Sequence, residues 1–138
     1  MTDKWTTYIT ERPLDLDLVQ RAVGDPRHGA AVVFSGVVRN HDSGNEVASL
    51  EYFAHPDAHV YLDRCCARMS REFGLPVAAG HRVGSLVVGD VALVAAVAAP
   101  HRRQAFDICS VVVERIKIEV PIWKHQTFVG GQSEWVGM

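Results

Sequence analysis

The chain has 138 residues, 48% of them hydrophobic and 22% charged, with a formal net charge of −2. That length fits a single domain, residues 1–138, with a core of its own, and the composition is that of an ordinary globular protein. The slight acidity excludes a general nucleic-acid binder, which needs a broad basic surface to neutralise phosphates. The longest apolar run, Val91 to Pro100, is far short of the roughly 20 residues a membrane span requires. Asp3 and Lys4 interrupt the N-terminus and leave no apolar signal core, so the expected location is the cytoplasm. Cys65, Cys66 and Cys109 are odd in number and form no CxxC pair, which argues against a disulfide framework and against a zinc site.

In chain order, Trp5 to Ile9 predicts a short strand, and Leu14 to Val23 a short helix with Asp15 and Asp17 in its first turn. Ala30 to Val38 is β-branched and apolar, the pattern of a buried strand. A polar turn follows from Asn40 to Asn45 with Gly44 as pivot, and Val47 to Phe53 then alternates as a half-buried strand should. Pro56 suits the first position of a helix whose apolar residues are Ala58, Leu62, Cys65, Met69 and Phe73, ended by Gly74 and Pro76. Val77 to Val83 and Val91 to Ala99 read as strands around a Gly84-to-Asp90 connection. Pro100 opens a second long helix, striped with Ala105, Ile108, Cys109, Val112 and Ile116 and stopped by Pro121. Two short strands near Trp123 and Trp135 close the chain, with Gly130-Gly131 as a hairpin turn. Strands and helices mix without strict βαβ alternation, which points to an α+β fold with mixed or antiparallel strands and two long helices.

Three groups of residues stand out for chemistry. Ser35 to His41 carries Arg39 just past the end of a strand, where a planar guanidinium suits phosphate or carboxylate; alone, it reads more readily as a surface arginine. Gly36 marks a bulge or close packing. His101, Arg102 and Arg103 crowd a helix N-terminus, where the dipole disfavours cations; an anion seated on the free N–H groups would explain the first two, and Arg103 is expected to face solvent. Lys117 sits in the last turn of that helix, and Pro121-Ile122-Trp123-Lys124 reverses the chain to bring a second lysine near it. Two partly desolvated ammonium groups depress each other's pKa, which equips a lysine as general base or nucleophile. His55, His59 and His81 have no metal-ligand spacing and read as ordinary surface or core histidines.

Taken in order, Phe34-Ser35-Gly36-Val37-Val38-Arg39-Asn40-His41, Glu51-Tyr52, His81-Arg82-Val83-Gly84, Val88-Gly89-Asp90, His101-Arg102 with Ala105-Phe106, Lys117, Pro121-Ile122-Trp123-Lys124 and Trp135 resemble the molybdopterin synthase catalytic (large) subunit family. The resemblance implies an α/β hammerhead fold and a sulfurtransferase that converts cyclic pyranopterin monophosphate (precursor Z) to molybdopterin in molybdenum cofactor biosynthesis. It implies as sulfur donor a small ubiquitin-like carrier with a C-terminal Gly-Gly thiocarboxylate, and a homodimer of large subunits at the centre of a heterotetramer. No metal and no cofactor are implied, because the sulfur arrives activated. Carried over residue by residue, Lys117 and Lys124 would be catalytic, while Val37, Val38, Arg39, His101, Arg102, His125 and Gln126 would line the substrate pocket. Gln126 stands where the family usually has glutamate, so a glutamate there is expected to serve at least as well. That departure also motivates the alternative of a weakly active or non-catalytic paralogue that binds the carrier or an anionic ligand. A plain anion-binding module, with no affinity for a Gly-Gly tail, is the third reading. A helix from Arg103 to Lys117 spans about 20 Å, too far for one small ligand to touch both ends, so a pocket completed across a two-fold dimer is expected.

Overall fold

The computed structural model describes residues 3–42 and 44–137. Among the described residues, two sheets and three helices form an α+β architecture, as the mixed element order predicts. Elements β1 (Trp5–Thr10), β2 (Ala30–Val37), β5 (Val77–Arg82) and β7 (Val91–Ala99) make a four-stranded sheet in the order β1-β5-β7-β2. β1 pairs with β5 in parallel and the other contacts are antiparallel. β3 (His41–Asp42), β4 (Asn45–Ala54), β8 (Ile122–Phe128) and β9 (Ser133–Gly137) form the second sheet, with β6 (Gly84–Leu86) also on β4.

β7 explains why the first sheet is covered on both faces. Its side chains alternate with period 2, so Leu93, Ala95, Val97 and Ala99 join one core while Val94, Ala96 and Ala98 join another. The first core is closed by α2 (Ala58–Phe73) and α3 (Arg102–Glu119), through Leu62, Cys65, Met69, Ile108, Val112 and Ile116. The second is closed by α1 (Leu16–Ala22), through Val19 and the Val23 that follows it. All three cysteines are buried and free. Burial pushes the Cys65 and Cys109 thiols up to about 11, so they pack as small apolar groups.

Several boundaries differ from the sequence reading. Asp15 is the N-cap of α1, accepting from the Asp17 N–H at 2.9 Å, rather than a first-turn residue. Pro56 and Pro100 each precede the N-cap (Asp57 and His101) rather than opening the helix: the Ala58 N–H donates to His55 O at 2.8 Å in a turn ahead of α2, and His101 is still extended ahead of α3. The Gly84-to-Asp90 connection contains β6, three residues too short to show a period. β2 is an edge strand and only half-buried, since apolar composition alone does not tell a central strand from one awaiting a cover. The expected turns at Gly44 and Gly130-Gly131 form with positive φ at all three glycines.

Candidate functional site

The C-terminal end of α3 opens into a cleft of about 450 Å³. Lys117 reaches it from the last helical turn, and Val120 and Ile122 continue its wall past Pro121. The reversal is fixed by the Ile122 N–H donating to Val120 O at 2.8 Å and the His55 N–H donating to Pro121 O at 3.0 Å. β8 then runs beside β4 and β9, with Lys124 facing Tyr52 on one side and Val136 on the other. Two lysines that are seven residues apart are thus brought to one cleft by a helix stop and a strand start.

Arg39 arrives from the other side. A register shift between Gly36 and Val37 forms the bulge that Gly36 suggested, and Gly36, Val37 and Arg39 line the cleft beyond it. The Arg39 guanidinium is mostly exposed and lies 3.6 Å from Asp42, an ion pair weak enough to leave it available to an anion. Gly137 closes the rim with φ +100°, where a Cβ would come within 3.2 Å of Trp123 Cα and Ile122 O; only glycine lets β9 approach this closely.

Lys124 is held below the ordinary lysine range, first by burial and then, more weakly, by the Lys117 and Arg39 charges, while Asp42 and Glu134 pull it back up. The expected depression therefore exists at Lys124, but desolvation rather than the partner lysine is its main cause.

Two neutral groups at the cleft were not singled out from the sequence. His81 is 9% exposed, and burial pushes it down to about 4, with Lys117 adding to the depression. Its Nδ1 lies 2.7 Å from Arg82 O, a contact that requires the proton on Nδ1 and leaves Nε2 as an acceptor. The Tyr52 ring meets it edge-on at 5.0 Å. The signal available in the sequence was their presence in the motif pieces Glu51-Tyr52 and His81 to Gly84.

Other expected site residues lie elsewhere. Val38 is buried in a small core with Leu50, Leu86 and Ala92, its N–H and C=O bonded to Asp90 and Gly89, so it supports the cleft without lining it. His125 points to the opposite face of β8 from Lys124, as alternation demands, and stacks on Trp135 at 4.6 Å. Gln126 shares the lysine's face but is engaged with Asp42 and Glu134 and does not line the cleft. His101 and Arg102 are exposed at the far end of α3, Arg102 being about 22 Å from Lys117 along the axis, and take no part in this chain's own cleft.

Comparison with known proteins identifies the family and the fold. The family model described as "MoaE protein" matches residues 9–119. The chain is 40% identical over 134 residues to the molybdopterin synthase catalytic subunit 1 of Mycobacterium tuberculosis, covering 94% of this chain and 88% of that protein. It is 35% identical to the molybdopterin synthase catalytic subunit of Bacillus subtilis, covering 94% and 83% respectively. The crystal structure of molybdopterin synthase from Staphylococcus aureus superposes with a TM-score of 0.86 at 33% identity, covering 94% of this chain and 96% of that one. The chain belongs to the MoaE protein family.

Proposed function

We propose that the chain is a molybdopterin synthase catalytic subunit, and that the cleft at the end of α3 is where sulfur passes from a thiocarboxylate to a pterin phosphate. The observation that carries this reading is the convergence of Arg39, Lys117 and Lys124 on one cleft, with Lys124 depressed by burial. The cyclic phosphate of the substrate matches the Arg39 guanidinium. Each sulfur transfer leaves charge on the acyl oxygen of the carrier and requires protons to move, and opening the phosphate ring frees a further anionic oxygen. Two ammonium groups beside the reacting atoms stabilise those charges, and an amine of lowered pKa moves a proton near neutral pH. His81 and Tyr52 add uncharged polar atoms to the wall. The carrier's Gly-Gly tail, being narrow and extended, suits a cleft edged by Gly36 and Gly137.

His101 and Arg102 enter the same reading through a second copy of the chain. The edge strand β2 and helix α3 present a shallow groove lined by Val32, Phe34, Phe106 and Val113, and Phe106 is 59% exposed one turn beyond Arg102. A two-fold partner on this surface would cover it and carry its own helix start toward the other chain's lysines. The cytoplasm is the compartment in which this chemistry is expected; among the described residues no helix is long and apolar enough to cross a membrane.

The direct test is to incubate the protein with thiocarboxylated carrier and cyclic pyranopterin monophosphate. Formation of molybdopterin well above a control without the protein is the expected result. Binding of both ligands without product would favour a non-catalytic paralogue, and no affinity for a Gly-Gly-tailed carrier would favour a plain anion-binding module.

A further inference from the structure

Gln126 is two residues beyond Lys124 on β8, so both side chains stand on the same face of the strand. It is 1% exposed. A buried amide in such a place needs partners, and its Nε2 donates to Asp42 Oδ2 at 2.5 Å and to Glu134 Oε1 at 2.7 Å. Carboxylates only accept, so the group between them must be the NH₂. Glu134 lies directly across the β8–β9 ladder, and Asp42 comes from the β3–β4 hairpin, where it also pairs with Arg39. Arg39, Asp42, Gln126 and Glu134 thus form a continuous chain along the rim of the lysine cleft.

We propose that Gln126 is a positioning residue for Lys124: its amide ties the Asp42 and Glu134 carboxylates into one unit, and that pair supplies the counter-charge of the lysine. The inference rests on Lys124 being the reacting amine. The charged and titratable groups facing that amine are Arg39, Asp42, Tyr52, His81, Lys117 and Glu134. Asp42 and Glu134 are the anions among them, and both favour its ammonium form.

A glutamate at position 126 would put an acceptor between two acceptors. One of the three carboxyls would then hold a proton near neutral pH, or the β3 and β9 segments would separate. The expectation that Gln126→Glu leaves activity equal or higher is therefore reversed. What restores complementarity is inversion of the whole chain, with amides at both flanks and the carboxylate between them.

The test compares Gln126→Glu with the triple variant Asp42→Asn, Gln126→Glu, Glu134→Gln. Two readouts are taken: the pH profile of single-turnover molybdopterin formation, and the Lys124 titration in protein labelled with ¹³C-lysine. The Lys124 resonance is identified by its loss in Lys124→Arg. Gln126→Glu should move the Lys124 titration up by about one pH unit, lower the neutral-pH rate about tenfold, and add an ionisation near neutral pH to the profile. The triple variant should lose the added ionisation and most of the rate loss, and its Lys124 titration should fall to the wild-type value or below it, because one carboxylate then stands where the wild type has two; it decides the matter even where the single variant fails to fold. Gln126→Glu behaving as wild type, or a triple variant that is unfolded or as impaired as the single one, overturns the proposal. The lysine titration separates this outcome from failure of the functional reading, because it is measured without turnover.

Discussion

The two ends of α3 carry similar residues in opposite surroundings. At the N-terminus His101, Arg102 and Arg103 stand exposed, with no side-chain cap on the helix and no wall around them. At the C-terminus Lys117 meets Lys124 and Arg39 in a cleft walled by β8, β9 and the β2 bulge. Positive charge is electrostatically disfavoured at the first end and favoured at the second. The difference teaches that the basic residues alone do not define a site. The chain reversal at Pro121 defines it, by adding walls, desolvation and a second amine to a lysine that would otherwise be an ordinary helix cap.

Removing the amines should break that contrast most severely. Lys117→Ala is expected to lower turnover about a thousandfold, and Lys124→Ala to be nearly as damaging, which steady-state molybdopterin formation would measure. Neither should shift the melting temperature appreciably, because Lys117 is exposed and Lys124 forms no ion pair closer than 4 Å among the described residues. Wild-type turnover in either variant would remove that lysine from the mechanism.

A smaller effect concerns His81, which belongs to the walled end only. Its folded pKa, about 4, lies below the ordinary 6.5. Between those values the unfolded chain binds a proton that the folded chain refuses, so stability rises with pH across the window. The contribution is fully present above about 6.5 and lost as pH falls toward 4, at most on the order of 3 kcal/mol. Urea unfolding at pH 4.5, 5.5 and 7 should show this slope in the wild type and a shallower one in His81→Gln. Equal slopes would mean that the imidazole is protonated within the fold.

Much of this was readable in the sequence because local rules set it. The stripe from Ala105 to Ile116 and the stop at Pro121 give α3, and the same stop forecasts that Lys117 and Lys124 converge. Alternation along β8 likewise dictates that Lys124 and His125 face opposite ways, although the family resemblance had placed His125 in the pocket. What could not be read depends on partners distant in the chain. Gln126 meets an aspartate 84 residues earlier, and only the folded sheet shows that its amide lies between two acids. His81 owes its neutrality to burial against Tyr52 and the end of α3, which no spacing reveals. The half-buried state of β2 was equally hidden, since an apolar edge strand and an apolar central strand have the same composition.

In the proposed dimer, the exposed end of one helix and the walled end of another copy make one active site. Mixing Arg102→Ala chains with Lys117→Ala chains tests it directly. Each variant alone should be nearly inactive, because every two-fold dimer then lacks one component of both sites. After subunit exchange at equal amounts, half of the dimers are mixed, and each of these regains one intact site beside one doubly damaged site. Activity should therefore recover to about a quarter of wild type. Mixed dimers that form, as shown by native mass spectrometry, yet turn over no faster than the separate variants would contradict the claim.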